Sequence, residues 1–293
     1  HLRHALLNAV KSSKSIQQIS GDAVIAQHAD TSGVAVTLAS GKTLKANLLV
    51  GSDGRGSGTA ARAGIQRTAW DYGQTALVCA VHHALPHHGT AHQFFMPPGP
   101  LAILPLTGNR SSIVWSERTE TAAQIHAMPP ADYLNVLRPR FGSFLGEIEL
   151  AGDRYTYPLG LSLATALVAD RVALIGDAAH GVHPIAGQGL NAGLRDVAAL
   201  AEVLTDATRR GEDIGAATVL ARYQQWRRFD NAALAMATDA FNRLFSNDNA
   251  LLRAGRDLGM GLVNAVPGLR RGFMREAAGL TGELPRLLRG QPL

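Results

Sequence analysis

Apolar positions along the 293-residue chain change their rhythm several times, and each change marks an element. Leu2, Leu6, Leu7 and Val10 recur at helical spacing, which predicts a first helix. It opens at His1 with no capping residue before it, as in a chain that starts inside a helix. Ala23–Ala26, Val34–Leu38 and Thr43–Leu48 are predicted short strands, separated by turns at Thr31-Ser32-Gly33 and Ser40-Gly41. The third run continues into Leu48-Leu49-Val50, apolar at consecutive positions, as in a strand buried on both faces. It stops at Gly51-Ser52-Asp53-Gly54. Between 70 and 117 the pattern becomes that of an antiparallel sheet, with runs at Ala76–Val81, Ala91–Phe95, Leu101–Leu106 and Ser111–Trp115. Helices near 119–127 and 131–140 and a strand around 147–157 follow. A second strand-to-glycine break, Val172 to Ile175 and then Gly176-Asp177, leads through a Gly/Pro-rich loop into a chain that is mainly helical from Gln188 onward.

Composition narrows the class. Apolar content of 46% and charged content of 17% describe a folded domain, not a disordered one. Cys79 is the single cysteine, which rules out an internal disulfide or a multi-cysteine metal site within the chain and fits a reducing compartment. No apolar run reaches the ~20 residues of a membrane-spanning helix. The net charge of +5 is uneven: the stretch from Ala250 to Leu293, with seven arginines, carries +4 of it. Leu262, Val263, Val266, Leu269, Phe273 and Met274 lie among those arginines, so an anionic membrane surface is one expected partner; a solvated helical face is the other reading. Phe273 is the one aromatic there, too little stacking surface for nucleic acid, and no nucleic-acid partner is expected.

The stretch RVALIGDAAHGVHPIAGQGLNAG, residues 171–193, carries the chemistry. A strand, a loop and a helix start present backbone N–H groups and a partial positive charge to an electron-rich ligand. Asp177, at the carboxyl end of the strand, can accept hydrogen bonds from ligand hydroxyls. The second candidate is Asp53-Gly54-Arg55, where an acid and a glycine at a strand end let backbone approach a polar cofactor without Cβ interference. Gly56-Ser57-Gly58-Thr59-Ala60-Ala61 fits GxGxxA, but its glycines lie beyond the first tight turn and it is rejected as a dinucleotide fingerprint. His82, His83, His87, His88 and His92 crowd into eleven residues without facing geometry, and His180 and His183 lack a third imidazole or a carboxylate. No metal is expected at either.

Residues 171–193 and LLVGSDGRGSG resemble flavin-dependent aromatic hydroxylases (class A flavoprotein monooxygenases), and most of all the branch that acts in ubiquinone biosynthesis, 2-octaprenyl-6-methoxyphenol hydroxylase-like. WDYGQTALVCAVHHALPHHGTAHQFFMPPGPLAILPL is similar to the same branch along its length. The resemblance implies that Gly176 and Asp177 meet the flavin ribityl chain. It implies that His183, Pro184, Gly187, Gln188, Gly189, Leu190 and Asn191 lie along the isoalloxazine ring. Asp53, Gly54 and Arg55 would serve FAD and NAD(P)H, although Gly56 stands where the family has a bulkier polar residue. Arg3 falls where the family has a helix with polar contacts to the flavin; a solvated arginine is the alternative. Trp70, Tyr72 and Gln74 would belong to the substrate domain near the flavin; for the aromatics, simple core packing is the alternative to substrate contact.

The implied fold is α/β: an FAD/NAD(P)-binding, glutathione-reductase-like three-layer domain, an inserted antiparallel-sheet substrate domain, and C-terminal helices. The expected parts are residues 1–66 and 158–205 for the cofactor domain, 67–157 for the substrate domain and 206–293 for the helical region. No true GxGxxG occurs, so the cofactor domain is expected to lack its N-terminal ADP-binding unit, roughly the first hundred residues of the family fold. The implied activity is hydroxylation of a polyprenylated phenol by NAD(P)H and O2 through a flavin C4a-hydroperoxide, with no side-chain general base evident. The implied place is cytoplasmic, peripheral to the inner face of the membrane, beside other proteins of the ubiquinone pathway. A flavin-dependent isoprenoid reductase or epoxidase, or a non-catalytic partner in a membrane-associated assembly, are the alternatives.

Overall fold

The computed structural model describes residues 2–182, 187–245, 261, 263–277 and 281–293. Helix α1 (Leu2–Ser12) buries none of its residues. A meander of β1 (Val24–Ala29), β2 (Val34–Leu38) and β3 (Thr43–Ala46) follows, each strand antiparallel to the next. The run read as one strand through Val50 is two. β3 stays in the meander, whereas β4 (Leu49–Gly51) joins a different sheet, parallel to β12 (Val172–Leu174). Asn47 and Leu48 are the hinge, and the Asn47 carbonyl accepts from the Arg171 guanidinium at 3.0 Å, so the break is held from outside the sheet.

Gly51 explains how β4 ends. A Cβ there would meet Leu174 Cδ2 and Thr59 Cγ2 at 2.8 Å, so the strand end fits only with hydrogen at that position. Beyond it, Ser57 caps the short α2 (Gly58–Arg62) by accepting from the Ala60 N–H at 3.0 Å. The rejected GxGxxA stretch is therefore the capped start of α2.

The largest sheet has seven strands. β5 (Arg67–His83) runs along it, flanked by β8 (Arg110–Arg118) and β10 (Tyr155–Ala164); β7 (Gly99–Leu106) and β6 (His92–Met96) extend it on one side and β13 (His180–Gly181) on the other. The strand expected around 147–157 is two separate strands, β9 (Ile148–Leu150) and β10, each paired to β5. β10 carries this sheet across residue 157 to Ala164. Helices α3 (Thr119–Ala127) and α4 (Pro130–Phe141) cover one face, closing a core of Leu77, Leu101, Ile103, Ile113, Trp115, Tyr133, Leu137 and Phe141. A second core, with Val172, Ala173, Leu174, Leu200, Val203, Leu220 and Tyr223, lies under α5 (Gly189–Arg209) and α6 (Ala217–Phe245). Near the end of the chain stands α7 (Pro267–Ala277). Mixed α/β architecture with antiparallel sheets agrees with the fold class expected. No helix among the described residues is long and apolar enough to cross a membrane.

Candidate functional site

β4 and β12 pair in parallel with Gly51 beside Leu174, so Asp53 and Gly176 leave the sheet at the same carboxyl edge. Ligands of open α/β sheets bind at that edge. Asp53 is engaged locally: Oδ1 accepts from Ser57 Oγ at 2.5 Å, and Oδ2 from the Thr59 N–H at 2.9 Å and Oγ1 at 3.0 Å. Burial pushes its carboxyl up, but these donors more than offset it and hold the acid below its ordinary value. Gly54, at φ +82°, makes the left-handed turn that follows. Arg55 crosses to the second motif. It donates to the carbonyls of Val182 at 2.8 Å and Gly160 at 3.2 Å, and its Nε stands 3.4 Å from Asp177 Oδ2.

The second motif is a 3₁₀ turn, Gly176–Ala178, entered through Gly176 at φ +59°. Its backbone is held from several directions. The Gly176 N–H donates to Asp196 Oδ2 at 2.9 Å. Arg67 donates to the carbonyls of Asp177, at 3.2 Å, and Ala178, with its Nε on Ser162 Oγ at 2.9 Å. Desolvation lowers the Arg67 guanidinium pKa, opposed by the charges of Asp177 and Asp53. Tyr223 donates to the Leu174 carbonyl at 2.8 Å. Held in this way, the Asp177 carboxylate remains 46% exposed, with Arg55 as its one ion-pair partner among the described residues.

Helix α5 starts immediately beside this turn. A Cβ on Gly193 would sit 3.4 Å from the Gly176 Cα, so the helix meets the strand end backbone to backbone. Gly187 is at φ +64°, and an added Cβ there or at Gly189 would meet nothing within 4 Å. The first turn carries no acidic side chain. Leu190 and Asn191 of this turn are exposed, and the Asn191 amide donates to Gln188 Oε1 at 3.3 Å. His183 and Pro184 lie outside the described residues. Arg3 stands on the exposed α1 and makes no hydrogen bond or ion pair with the described residues; it is not tied to the other predicted positions.

Under the loop is a charge cluster that sequence reasoning missed. Asp196, on α5, is fully buried and takes His180 Nε2 at 2.5 Å and Arg227 Nε at 2.8 Å. Burial pushes its carboxyl up, yet the His180 hydrogen bond and the nearby Arg227 charge hold it below the usual carboxylate value. Its signal was present: Ala192, Asp196, Ala199 and Val203 share one face of α5, and an acid on a buried face demands a partner. Arg67 carried no comparable signal, since it opens a strand in an ordinary polar context.

On the sheet side, Trp70 Nε1 and the Tyr72 hydroxyl donate to Asp239 Oδ1 of α6 at 3.4 and 2.9 Å. Gln74 donates to the Pro98 carbonyl at 2.6 Å and accepts from Asn242 at 3.2 Å. Tyr72 packs against Leu161, Val182 and Ala235, within two residues of the loop predicted to face the flavin. Three of the five crowded histidines have structural partners for their side chains. His83 bonds Ser111 Oγ and the Leu85 carbonyl, His87 the Leu106 carbonyl and the Gly89 N–H, and His92 lies against Phe144. Among the described residues no group of three or more His, Cys, Asp or Glu is placed to hold a metal ion.

A sequence profile for the FAD binding domain family matches residues 2–238. The chain belongs to this family. Ubiquinone hydroxylase UbiL of Rhodospirillum rubrum is 46% identical over 295 residues, covering all of this chain and 69% of that protein. Human mitochondrial ubiquinone biosynthesis monooxygenase COQ6 is 36% identical, covering 84% of this chain and 60% of its own length. Escherichia coli 3-demethoxyubiquinol 3-hydroxylase is 35% identical over 95% of this chain and 71% of that protein. The chain thus spans roughly 60–71% of these relatives and groups with the ubiquinone-biosynthesis hydroxylases. Among solved structures, p-nitrophenol 4-monooxygenase PnpA of Pseudomonas putida superposes with a TM-score of 0.80 over 97% of this chain and 72% of that one, at 19% identity, a likeness of fold alone. FAD is the cofactor of the family, and the site fits it: an exposed acceptor at Asp177, a helix start free of acids, and glycine backbone facing open space.

Proposed function

We propose that the protein containing this chain hydroxylates the aromatic ring of a polyprenylated phenol in ubiquinone biosynthesis, with FAD as cofactor and NAD(P)H and O2 as co-substrates. The observation that carries this reading is the pinned Asp177 turn beside the open start of α5, in a chain whose named relatives are hydroxylases and monooxygenases of that pathway. Those names favour ring hydroxylation over isoprenoid reduction or epoxidation.

When bound, FAD supplies the redox chemistry, accepting reducing equivalents from NAD(P)H and activating O2. The residues of this chain bind, orient and exclude water. Asp177 accepts from the ribityl hydroxyls, and Arg55 keeps that carboxylate turned toward the first motif. The N–H groups of Gly189, Leu190 and Asn191, with the partial positive charge of α5, would offset negative charge on the bound flavin ring. Asp53 and Gly54 shape the neighbouring turn, and His183, Pro184, Gly187 and Gln188 are assigned to the ring-facing segment. Arg3 is the weakest member of the set and serves only if α1 folds against the bound cofactor. On the substrate side, Tyr72, Trp70 and Gln74, fastened to α6 through Asp239 and Asn242, form the wall against which the phenol ring is positioned. The sheet from 67 onward is the inserted substrate domain, and the two stretches around it belong to the cofactor domain. The basic, apolar α7 provides peripheral contact with the inner face of the membrane, where a polyprenylated substrate resides and pathway proteins assemble.

The test is NAD(P)H oxidation by the flavin-loaded protein with a short-tailed polyprenyl phenol, followed by mass spectrometry of the product. Gain of one oxygen atom on the ring is expected. Flavin uptake followed by NAD(P)H oxidation that yields only peroxide, with the phenol unchanged, would sink the substrate assignment.

A further inference from the structure

The loop from Gly176 to Val182 is folded by side chains that approach it from beneath, and Asp196 is where most of them meet. Its Oδ2 accepts both the Gly176 N–H at 2.9 Å and His180 Nε2–H at 2.5 Å, while Oδ1 accepts Arg227 Nε–H at 2.8 Å. The carboxylate is wholly buried, and His180 and Arg227 are each only 1% exposed. A charge taken this far from water persists only where its lone pairs are used. Here they are used by a backbone amide, an imidazole and a guanidinium from separate elements. An ion pair that served stability alone would need only Arg227. The other two bonds go to the loop itself, at the residue before Asp177 and the third residue after it, so they bracket the exposed carboxylate.

Resting on the flavoprotein reading above, we propose that Asp196 is a positioning residue for the cofactor. By fixing Gly176 in its left-handed conformation and the His180 ring in one orientation, it sets the direction in which Asp177 meets the ribityl chain. Ionised Asp196 requires the proton on His180 Nε2. The ring's Nδ1 is buried without a partner among the described residues, and His180 lines, with Asn231 and Arg228, a cavity of about 290 Å³.

The experiment compares wild type with Asp196→Asn, His180→Ala and His180→Gln, in the FAD-loaded and flavin-free protein. Three readouts are taken: FAD dissociation constant, the visible spectrum of bound flavin, and hydrogen exchange of the Gly176 amide. Asp196→Asn, which places an N–H₂ among three donors, is expected to weaken FAD binding about tenfold, shift the flavin bands and speed Gly176 exchange. His180→Ala should do the same to a smaller degree. His180→Gln, whose amide can still donate to Asp196, should recover most of the wild-type affinity and spectrum, which a merely structural role does not require. Lower melting temperatures with FAD affinity and spectrum unchanged would overturn the proposal. So would Gly176 exchange that stays slow in Asp196→Asn without flavin. A wild-type protein that takes up no flavin would instead overturn the functional reading on which the proposal rests.

Discussion

Asp177 and Asp196 show how two aspartates nineteen residues apart divide one task. Asp177 is half exposed and contributes little to folding, so Asp177→Ala is expected to weaken FAD binding at least tenfold while leaving the urea midpoint near that of wild type. Flavin fluorescence quenching and equilibrium unfolding check the two halves. Asp196 behaves oppositely, because it and both of its side-chain partners, His180 and Arg227, are buried. Arg227→Met removes one side of a buried pair and should cost about 3–5 kcal/mol of stability, read from urea unfolding. The same network sets an acid limit. The Asp196 carboxyl in the folded protein lies below its unfolded value, so its contribution is full above the unfolded pKa and disappears as pH falls through the folded one. Asp53 shifts in the same direction and adds to the effect. Stability should therefore hold from neutral pH down to about pH 4 and fall steeply below it. Asp196→Asn should flatten that fall; an unaltered slope would mean that other carboxylates govern acid unfolding.

Two strand ends bring these residues together, and their closeness depends on a missing side chain. Gly51→Ala places a Cβ 2.8 Å from Leu174 and Thr59, and the strain is expected to cost about 1–3 kcal/mol. Because the clash separates β4 from β12 and α2, FAD affinity should fall along with the thermal midpoint. Elements of this kind were only partly legible in the sequence. Period and turn chemistry placed β2, β6, β7 and α3 within a residue or two, since each has a plain apolar rhythm and a clear stop, and found β8 but ended it three residues short. They did not separate β3 from β4, because Leu48-Leu49-Val50 continues the apolar run while the backbone changes sheets. Nor did they reveal that β5 begins at Arg67: its first half, from Thr68 to Tyr72, lacks the apolar alternation of a buried strand and is paired by β10 instead. The candidate flavin loop stood out in the sequence because glycines and an acid at a strand end are local signals. Its supports, Arg67, Tyr223 and Arg227, were not, since each reaches a carbonyl or carboxylate tens of residues or more away, a relation that only the fold creates.

Charge is distributed over the molecule so that one end differs from the rest. The chain carries +5, and +4 of this falls from Ala250 onward. In α7, Arg270, Arg271 and Arg275 stand beside exposed Leu269 and Met274, with Val266 just before the helix. At helical spacing, Val266 and Leu269 lie together and Arg271 and Arg275 fall on the other side, with Arg270 and Met274 between the two, a partial division of the kind an interfacial helix shows. Such a helix binds through apolar insertion and through attraction between arginine and anionic headgroups, and only the second is screened by salt. Co-sedimentation with vesicles containing a fifth to a third phosphatidylserine should therefore retain the protein at low ionic strength, and about 0.5 M salt should release much of it. Vesicles of phosphatidylcholine alone should retain little at either salt concentration. Replacing Arg270, Arg271 and Arg275 together by Glu should weaken the anionic-vesicle interaction on the order of a hundredfold or more while leaving FAD binding intact, because none of the three side chains makes a hydrogen bond or ion pair with the described residues of the candidate site. Equal binding by the triple variant would move the basis of membrane contact from α7 to the exposed apolar side of α6, where Phe229 and Met236 are 79% and 68% exposed. Binding that salt does not diminish would point to the same place, since apolar insertion alone survives screening.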